Sequence, residues 1–339
     1  MHHLDIAGSP YAIGHAMGER GRTAFADRIL PSADFRRLTP ALANGWLTAV
    51  AARVRRHFPG VHEELRGLAD GLAQPFEHVL LWNCRGDLSP TGPEGCSSVA
   101  VAQGDEAWLA HNEDGQPSLR DACFLLEARP DQGPAYLAFC YPGSLAGHTL
   151  GVNAAGLAYT VNNIRLTETR EGIPRMVTAR ALLDCRDVGE ALSLLRHTHR
   201  SGGFHFMMAD TRHRTAWSVE APWQGVSAPA VEDRAVHANH LVHPPFSSVA
   251  QRITDSSAAR QRRLEAWRRT TSGAVSPEEL LALLGDRSHP RLPLYRLAPD
   301  DPDDENTLAT VLFRVTSRGV WVQLRPGPDR PPVLERWFG

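Results

Sequence analysis

The sequence predicts an α+β protein of layered helices and mostly antiparallel strands, and three observations carry that reading. Helix-spaced apolar residues fill much of the first 94 positions, short strand-like runs bounded by Gly, Pro and Asp follow Cys96, and helices and strands then come in alternating blocks. The chain has 339 residues, 42% of them apolar and 22% charged, enough to bury a sizeable core. One α+β domain of roughly 200 to 250 residues with a helical extension fits that length as well as two domains do.

The elements follow in order. Tyr11 to Ala26, Leu42 to His57 and Val61 to Leu72 carry apolar residues at spacings of three and four, and Pro75 to Trp82 reads as a helix opening on proline. Asn83 to Asp87 then runs into a polar loop over Ser89 to Glu94. Ser97 to Gln103, Ala107 to His111, Cys123 to Ala128 and Ala135 to Tyr141 read as strands paired in hairpins. Gly151 to Leu157 is a turn leading into Ala158 to Asn163. Pro174 to Cys185 and Val188 to His199 are helical, the second capped by Asp187. Phe204 to Ala209, Thr215 to Glu220 and Ala235 to Ala238 resume the strands, Ser248 to Thr270 and Pro277 to Leu284 are helical, and Leu308 to Val315 with Gly319 to Leu324 close as a hairpin. Pro299 to Asn306, acidic and proline-bearing, is expected to be a flexible loop.

Composition removes several function classes. A formal net charge of −2 points to neither a polyanion nor a membrane surface. The first ten residues lack a basic and apolar leader pattern, and no run reaches the ~18 apolar residues of a spanning helix, so cytoplasm is the expected location. Basic clusters at Arg53 to Arg56 and Arg260 to Arg269 read as solvated helix faces, not as a nucleic-acid site. The five cysteines (Cys84, Cys96, Cys123, Cys140, Cys185) are odd in number and hold no C-x-x-C pair, which suggests neither a disulfide framework nor a zinc ribbon. No cofactor is expected.

Gly95-Cys96 carries the most chemical information. If the bond before Cys96 breaks, one residue acquires a thiol and an α-amine, which titrate near ~8.5 and ~7.7 to 8.0, so nucleophile and base arrive together. Asp114, 18 positions on, ends the paired strand and could receive that amine; a turn before Gly115 is its plainer role. Asn239, at another strand end, could donate to a developing oxyanion or cap a turn. Asn112, Asn162 and Arg85 are further candidates for oxyanion or substrate contact. His237, His240 and His243 raise a zinc hydrolase as an alternative, although i, i+3 spacing running into Pro244-Pro245 is poor for a metal site.

Taken together, Gly95-Cys96-Ser97-Ser98, His111 to Asp114, Gly151 to Asn163, His237 to His240 and Thr307 to Thr310 resemble, in order, the isopenicillin N acyltransferase-like family of cysteine N-terminal-nucleophile hydrolases. Gly8 to Gly14 with Met17-Gly18 looks like the start of that family's helical pro-segment. The resemblance implies a four-layer α/β/β/α sandwich over 96–339, a pro-segment over 1–95 that stays bound as a small subunit after self-cleavage, Cys96 as nucleophile, Asp114 behind it and Asn239 in the oxyanion hole. Arg85 and Asp87 match a family Asn-x-Arg-x-Glu segment, with the shorter acid as a departure. Glu113 and Gly115 stand where the family commonly has aromatics, and Gly115 is expected to widen the acyl pocket. The implied substrate is a small N-acyl amide or acyl thioester. Hydrolysis, N-acyl transfer dependent on acyl-CoA or a carrier protein in secondary metabolism, and a non-catalytic binding relative stay open as readings, as does a homo-oligomer.

Overall fold

A computed structural model describes residues 1–89, 95–298 and 300–338. The chain begins with strand β1 (His2–Gly8) and helices α1 (Pro10–Ala24), α2 (Ala33–Leu38), α3 (Trp46–His57), α4 (Pro59–Leu72), α5 (Phe76–Asn83) and α6 (Arg85–Leu88). Strands β2 (Gly95–Gln103), β3 (Glu106–Gly115), β4 (Phe124–Pro130), β5 (Tyr136–Cys140), β6 (Leu150–Asn153) and β7 (Leu157–Asn163) follow, then α7 (Arg175–Leu182) and α8 (Val188–His197). The remainder is β8 (Phe204–Asp210), β9 (Ala216–Ala221), β10 (Arg234–His237), α9 (Asp255–Thr270), α10 (Pro277–Leu284), β11 (Asn306–Thr316), β12 (Gly319–Arg325) and β13 (Leu334–Phe338).

The strands form two sheets, β1-β4-β5-β6-β7-β8-β9 and β10-β2-β3-β11-β12-β13, packed face to face through β2 and β3 against β7, β8 and β9. Helices α9 and α10 cover the outer face of the second sheet, and α7, α8 and the amino-terminal helices lie on the first. The expected four-layer α/β/β/α order is therefore present. Two-residue periodicity explains it: along β2 and β3, Ala100 and Leu109 point between the sheets, whereas Val99, Val101, Trp108 and Ala110 point outward under Leu264, Leu280 and Leu284. Both faces are covered, so residues 99–102 and 107–110 of these strands read as unbroken apolar runs.

Several boundaries differ from expectation. The amino-terminal segment is not wholly helical: His2–Gly8 pairs in parallel with β4 as an edge strand, with Leu4 and Ile6 against the core. The carboxyl-terminal β13, the short α2 and α6, and β6 also escape the sequence reading. Helix α9 starts at Asp255, not Ser248, because the Thr254 side chain accepts from the Ser257 N–H and caps it there. Of the polar loop expected over 89–94, all but Ser89 lies outside the described residues, as does Pro299. The acidic stretch after Pro299 is not a solvated loop, because Asp301, Asp303 and Glu305 close on the buried Arg296 guanidinium.

Candidate active site

Register in the β2–β3 hairpin sets the site. Gly95 opposes Asp114, Cys96 opposes Glu113, Ser97 opposes Asn112 and Ser98 opposes His111. Opposed residues share a face of the sheet. Cys96, Ser98, Glu113 and His111 therefore point between the sheets, and Gly95, Ser97, Asn112 and Asp114 point toward α9 and α10.

On the inner face, Cys96 Sγ lies 3.4 Å from Glu113 Oε2, and His111 Nε2 is 3.2 Å from the same oxygen. Tyr141 donates its hydroxyl to Glu113 Oε1 at 2.8 Å. Ser98 donates to Asn162 Oδ1 at 2.7 Å, which commits its single proton, so the 2.8 Å contact with His111 Nδ1 is a ring N–H donating to Ser98. That tautomer leaves the Nε2 lone pair facing Glu113. Burial, helped by Arg260, holds the His111 ring down to about 3, so it is neutral. Burial foremost, and then the charges of Glu113 and Asp114, push the Cys96 thiol well up, with Arg260 opposing.

On the outer face, the Cys96 backbone N–H donates to Asn239 Oδ1 at 2.8 Å. Arg260 Nη2 donates to the same oxygen at 2.7 Å, its other arm reaches the Cys96 carbonyl, and Asn239 Nδ2 donates to the Asn163 carbonyl at 3.1 Å. Asp114 Oδ1 accepts from Thr307 at 2.7 Å. A register shift between Thr307 and Ala309 turns Thr307 toward that carboxylate. Asp114 Oδ2 is buried and accepts no hydrogen bond among the described residues, and Arg296 Nη1 lies 3.9 Å from it. Burial raises the Asp114 carboxyl against the pull of Arg296, Arg260 and Thr307. A Cβ on Gly95 would collide with the paired Glu305 and Arg296 side chains.

Cys96, Asp114 and Asn239 are thus gathered at one strand end. Asn112 is not with them: it faces outward and ties β3 to the Leu284 and Leu294 carbonyls at 2.9 and 3.3 Å. Asn162 sits behind Ser98 in the inter-sheet network, and Arg85 lies over the Trp82 ring with Nη1 on Ser144 Oγ and Met176 Sδ. The three histidines of the zinc alternative are held by protein partners and form no joint ligand group among the described residues: His237 Nε2 and His243 Nδ1 face Glu220 at 3.0 and 3.9 Å, His243 also meets Ser218 and Ser227 at 3.0 Å, and His240 Nδ1 meets Ser257 at 2.8 Å. Among the described residues, the group of three or more His, Cys, Asp or Glu side chains whose ligand atoms lie within 4.8 Å of one another is Cys96, His111 and Glu113. Beside Gly115 the Tyr141 hydroxyl stands in the space a Cβ would take.

Glu113, His111, Arg260 and Arg296 escaped the sequence reading as site residues. Glu113 and His111 were findable from period-two alternation, since they stand opposite Cys96 and Ser98. Arg260, expected on a solvated face, is 1% exposed, and nothing in the run of basic residues around it singles it out.

Residues 101–327 match the acyl-coenzyme A:6-aminopenicillanic acid acyl-transferase family, and the chain belongs to that family. The matched region contains Asp114 and Asn239 and begins after Cys96. Beta-alanyl-dopamine/carcinine hydrolase of Drosophila melanogaster is 29% identical over 163 residues, 42% of this chain and 42% of that protein, so the similarity spans less than half of either. A crystal structure of a variant of conjugated bile acid hydrolase from Clostridium perfringens aligns with a TM-score of 0.43 and 11% identity over 72% of this chain and 97% of the other. Among the described residues no helix is long and apolar enough to cross a membrane.

Proposed function

We propose that this chain is a self-cleaving cysteine amidohydrolase that cuts its own Gly95–Cys96 bond and then hydrolyses small N-acyl amides through an acyl-enzyme on Cys96. The observation that carries the reading is the seat around the Cys96 nitrogen: Asn239 Oδ1 accepts its N–H at 2.8 Å, and the buried Asp114 Oδ2, across the strand pair, has no hydrogen-bond donor among the described residues. An α-ammonium brings three protons where an amide brings one. It would complete such a seat.

Sulfur attack on the Gly95 carbonyl breaks the peptide C–N bond and leaves a thioester, and water then releases the Gly95 carboxylate and the thiol. In turnover the freed α-amine takes the thiol proton, the thiolate attacks the substrate carbonyl, and the proton passes to the departing amine. Water clears the acyl group. Residues 1–95 become a small subunit and 96–339 the catalytic one. The Drosophila relative is named as a hydrolase, of beta-alanyl-dopamine and carcinine, which supports water as the acceptor.

Mass spectrometry of the purified wild-type chain is expected to give two fragments meeting at Gly95–Cys96, and Cys96→Ala one intact chain. A wild type as intact as Cys96→Ala would end the reading. A panel of N-acyl amides and acyl thioesters, with and without an amine acceptor, then separates hydrolysis from transfer.

A further inference from the structure

We infer that Glu113 is the general base for the self-cleavage step, a task the α-amine cannot perform because it does not yet exist. This inference rests on the proposed cut at Gly95–Cys96. Before that cut the Cys96 nitrogen is an amide, its lone pair delocalised and its N–H committed to Asn239. Some other group must take the thiol proton, and the burial that pushes the thiol up makes spontaneous ionisation rare.

Glu113 is placed for it. Its Oε2 is 3.4 Å from Cys96 Sγ, it is 3% exposed, and Tyr141 pins its other oxygen. Among the described residues it meets Cys96 on β2, His111 on β3, Cys123 just before β4 and Tyr141 just after β5, and the charges of Arg260 on α9 and Asp114 on β3 act on the same thiol. Asp114 is on the other face of the sheet. His111 is neutral and too weakly basic, but its Nε2 lone pair points at Glu113 Oε2 from 3.2 Å. It can accept a hydrogen bond from Glu113 once that carboxylate has gained the thiol proton. His111 is thus a positioning residue that strengthens the base.

The proton balance closes. Glu113 takes the proton from Sγ as sulfur bonds to the Gly95 carbonyl carbon, then gives it to the Cys96 nitrogen as the C–N bond breaks. Water attacks the thioester, leaving the Gly95 carboxylate and the thiol. Glu113 ends as it began.

The test follows self-cleavage of full-length chain, taken up uncut in denaturant and diluted into buffers from pH 6 to 9. Wild-type rates are expected to level off with rising pH, because a base held in contact saturates once ionised. Glu113→Gln is expected to be slower by about 10²-fold or more, the typical loss for a missing general base, and to rise about tenfold per pH unit as cleavage waits for free thiolate. Glu113→Asp, with a shorter base, should fall between the two in rate and still level off. Equal rates in wild type and Glu113→Gln, or a levelling profile in Glu113→Gln, would overturn the assignment. If Glu113→Gln fails to refold by circular dichroism, Glu113→Asp decides alone, a steep unsaturating profile counting against the base. A wild type that never cuts instead refutes the self-cleavage reading itself.

Discussion

The reason the structure offers for glycine before Cys96 is a collision that any Cβ there would meet. The Glu305–Arg296 pair fills the space where a Cβ would stand. His111 shows a second residue-scale effect, in acid. Its folded titration, near about 3, lies below the ~6.5 of an unfolded histidine, so its neutral burial contributes stability that is present above about pH 6.5 and is lost as pH falls toward 3. Urea melts of wild type and His111→Gln, both on a Cys96→Ala background, are expected to converge by about 1.4 kcal/mol per pH unit between pH 6.5 and 4. A constant difference across that window would contradict a neutral His111.

At the scale of elements, helices α1 and α4 meet through glycines. Gly14 and Gly18 of one face Gly67 and Gly71 of the other so closely that a Cβ at any of the four would strike the partner's backbone. Replacing glycine by alanine in an open helix gains up to ~1 kcal/mol, whereas overpacking a tight seam costs about 1 to 3 kcal/mol, so the collision wins. Gly18→Ala should lower the melting temperature, and Gly60→Ala on the same α4, whose nearest neighbour atom is 3.8 Å away, should leave it unchanged or raise it. Equal melting temperatures for the two variants would contradict the seam.

The same scale shows what a linear reading can reach. Periodicity located α3, α4, α10 and the β2–β3 and β11–β12 hairpins to within a few residues, because their apolar spacing and turn residues are local properties. β1 escaped because a half-buried parallel edge strand has little local signature and owes its form to β4. At the site, Cys96, Asp114 and Asn239 came from motif order. Arg260 and Arg296 did not, since a guanidinium buried against carbonyls and acids looks in sequence like one on the surface. Glu113 was visible only as a departure from the family's aromatic, and its meaning required the register that sets it against Cys96.

At the scale of the whole molecule, residues 1–89 are woven into the rest. β1 adds to the first sheet, Glu64 of α4 forms a buried ion pair with Arg180 of α7 at 2.7 Å, and Asn83 of α5 bonds the Gly143 carbonyl and the Leu145 N–H at 2.9 and 2.8 Å. Those last two bonds grip the loop that begins at Tyr141, the residue that pins Glu113. After the proposed cut the two pieces are therefore expected to co-elute in gel filtration and to separate only in denaturant. Separation in native buffer would show that the contacts do not suffice.

That interlacing has a consequence for the life of the enzyme. Before the cut, β1 finds its place beside β4 as part of one continuous polymer, at a rate indifferent to dilution. After the proposed cut the same ribbon would be a separate solute that must meet its sheet by diffusion, so recovery from unfolding would become second order and falter in dilute solution. Maturation would thus act as a ratchet: a young chain can make repeated attempts at its shape, whereas an adult one that comes apart seldom returns.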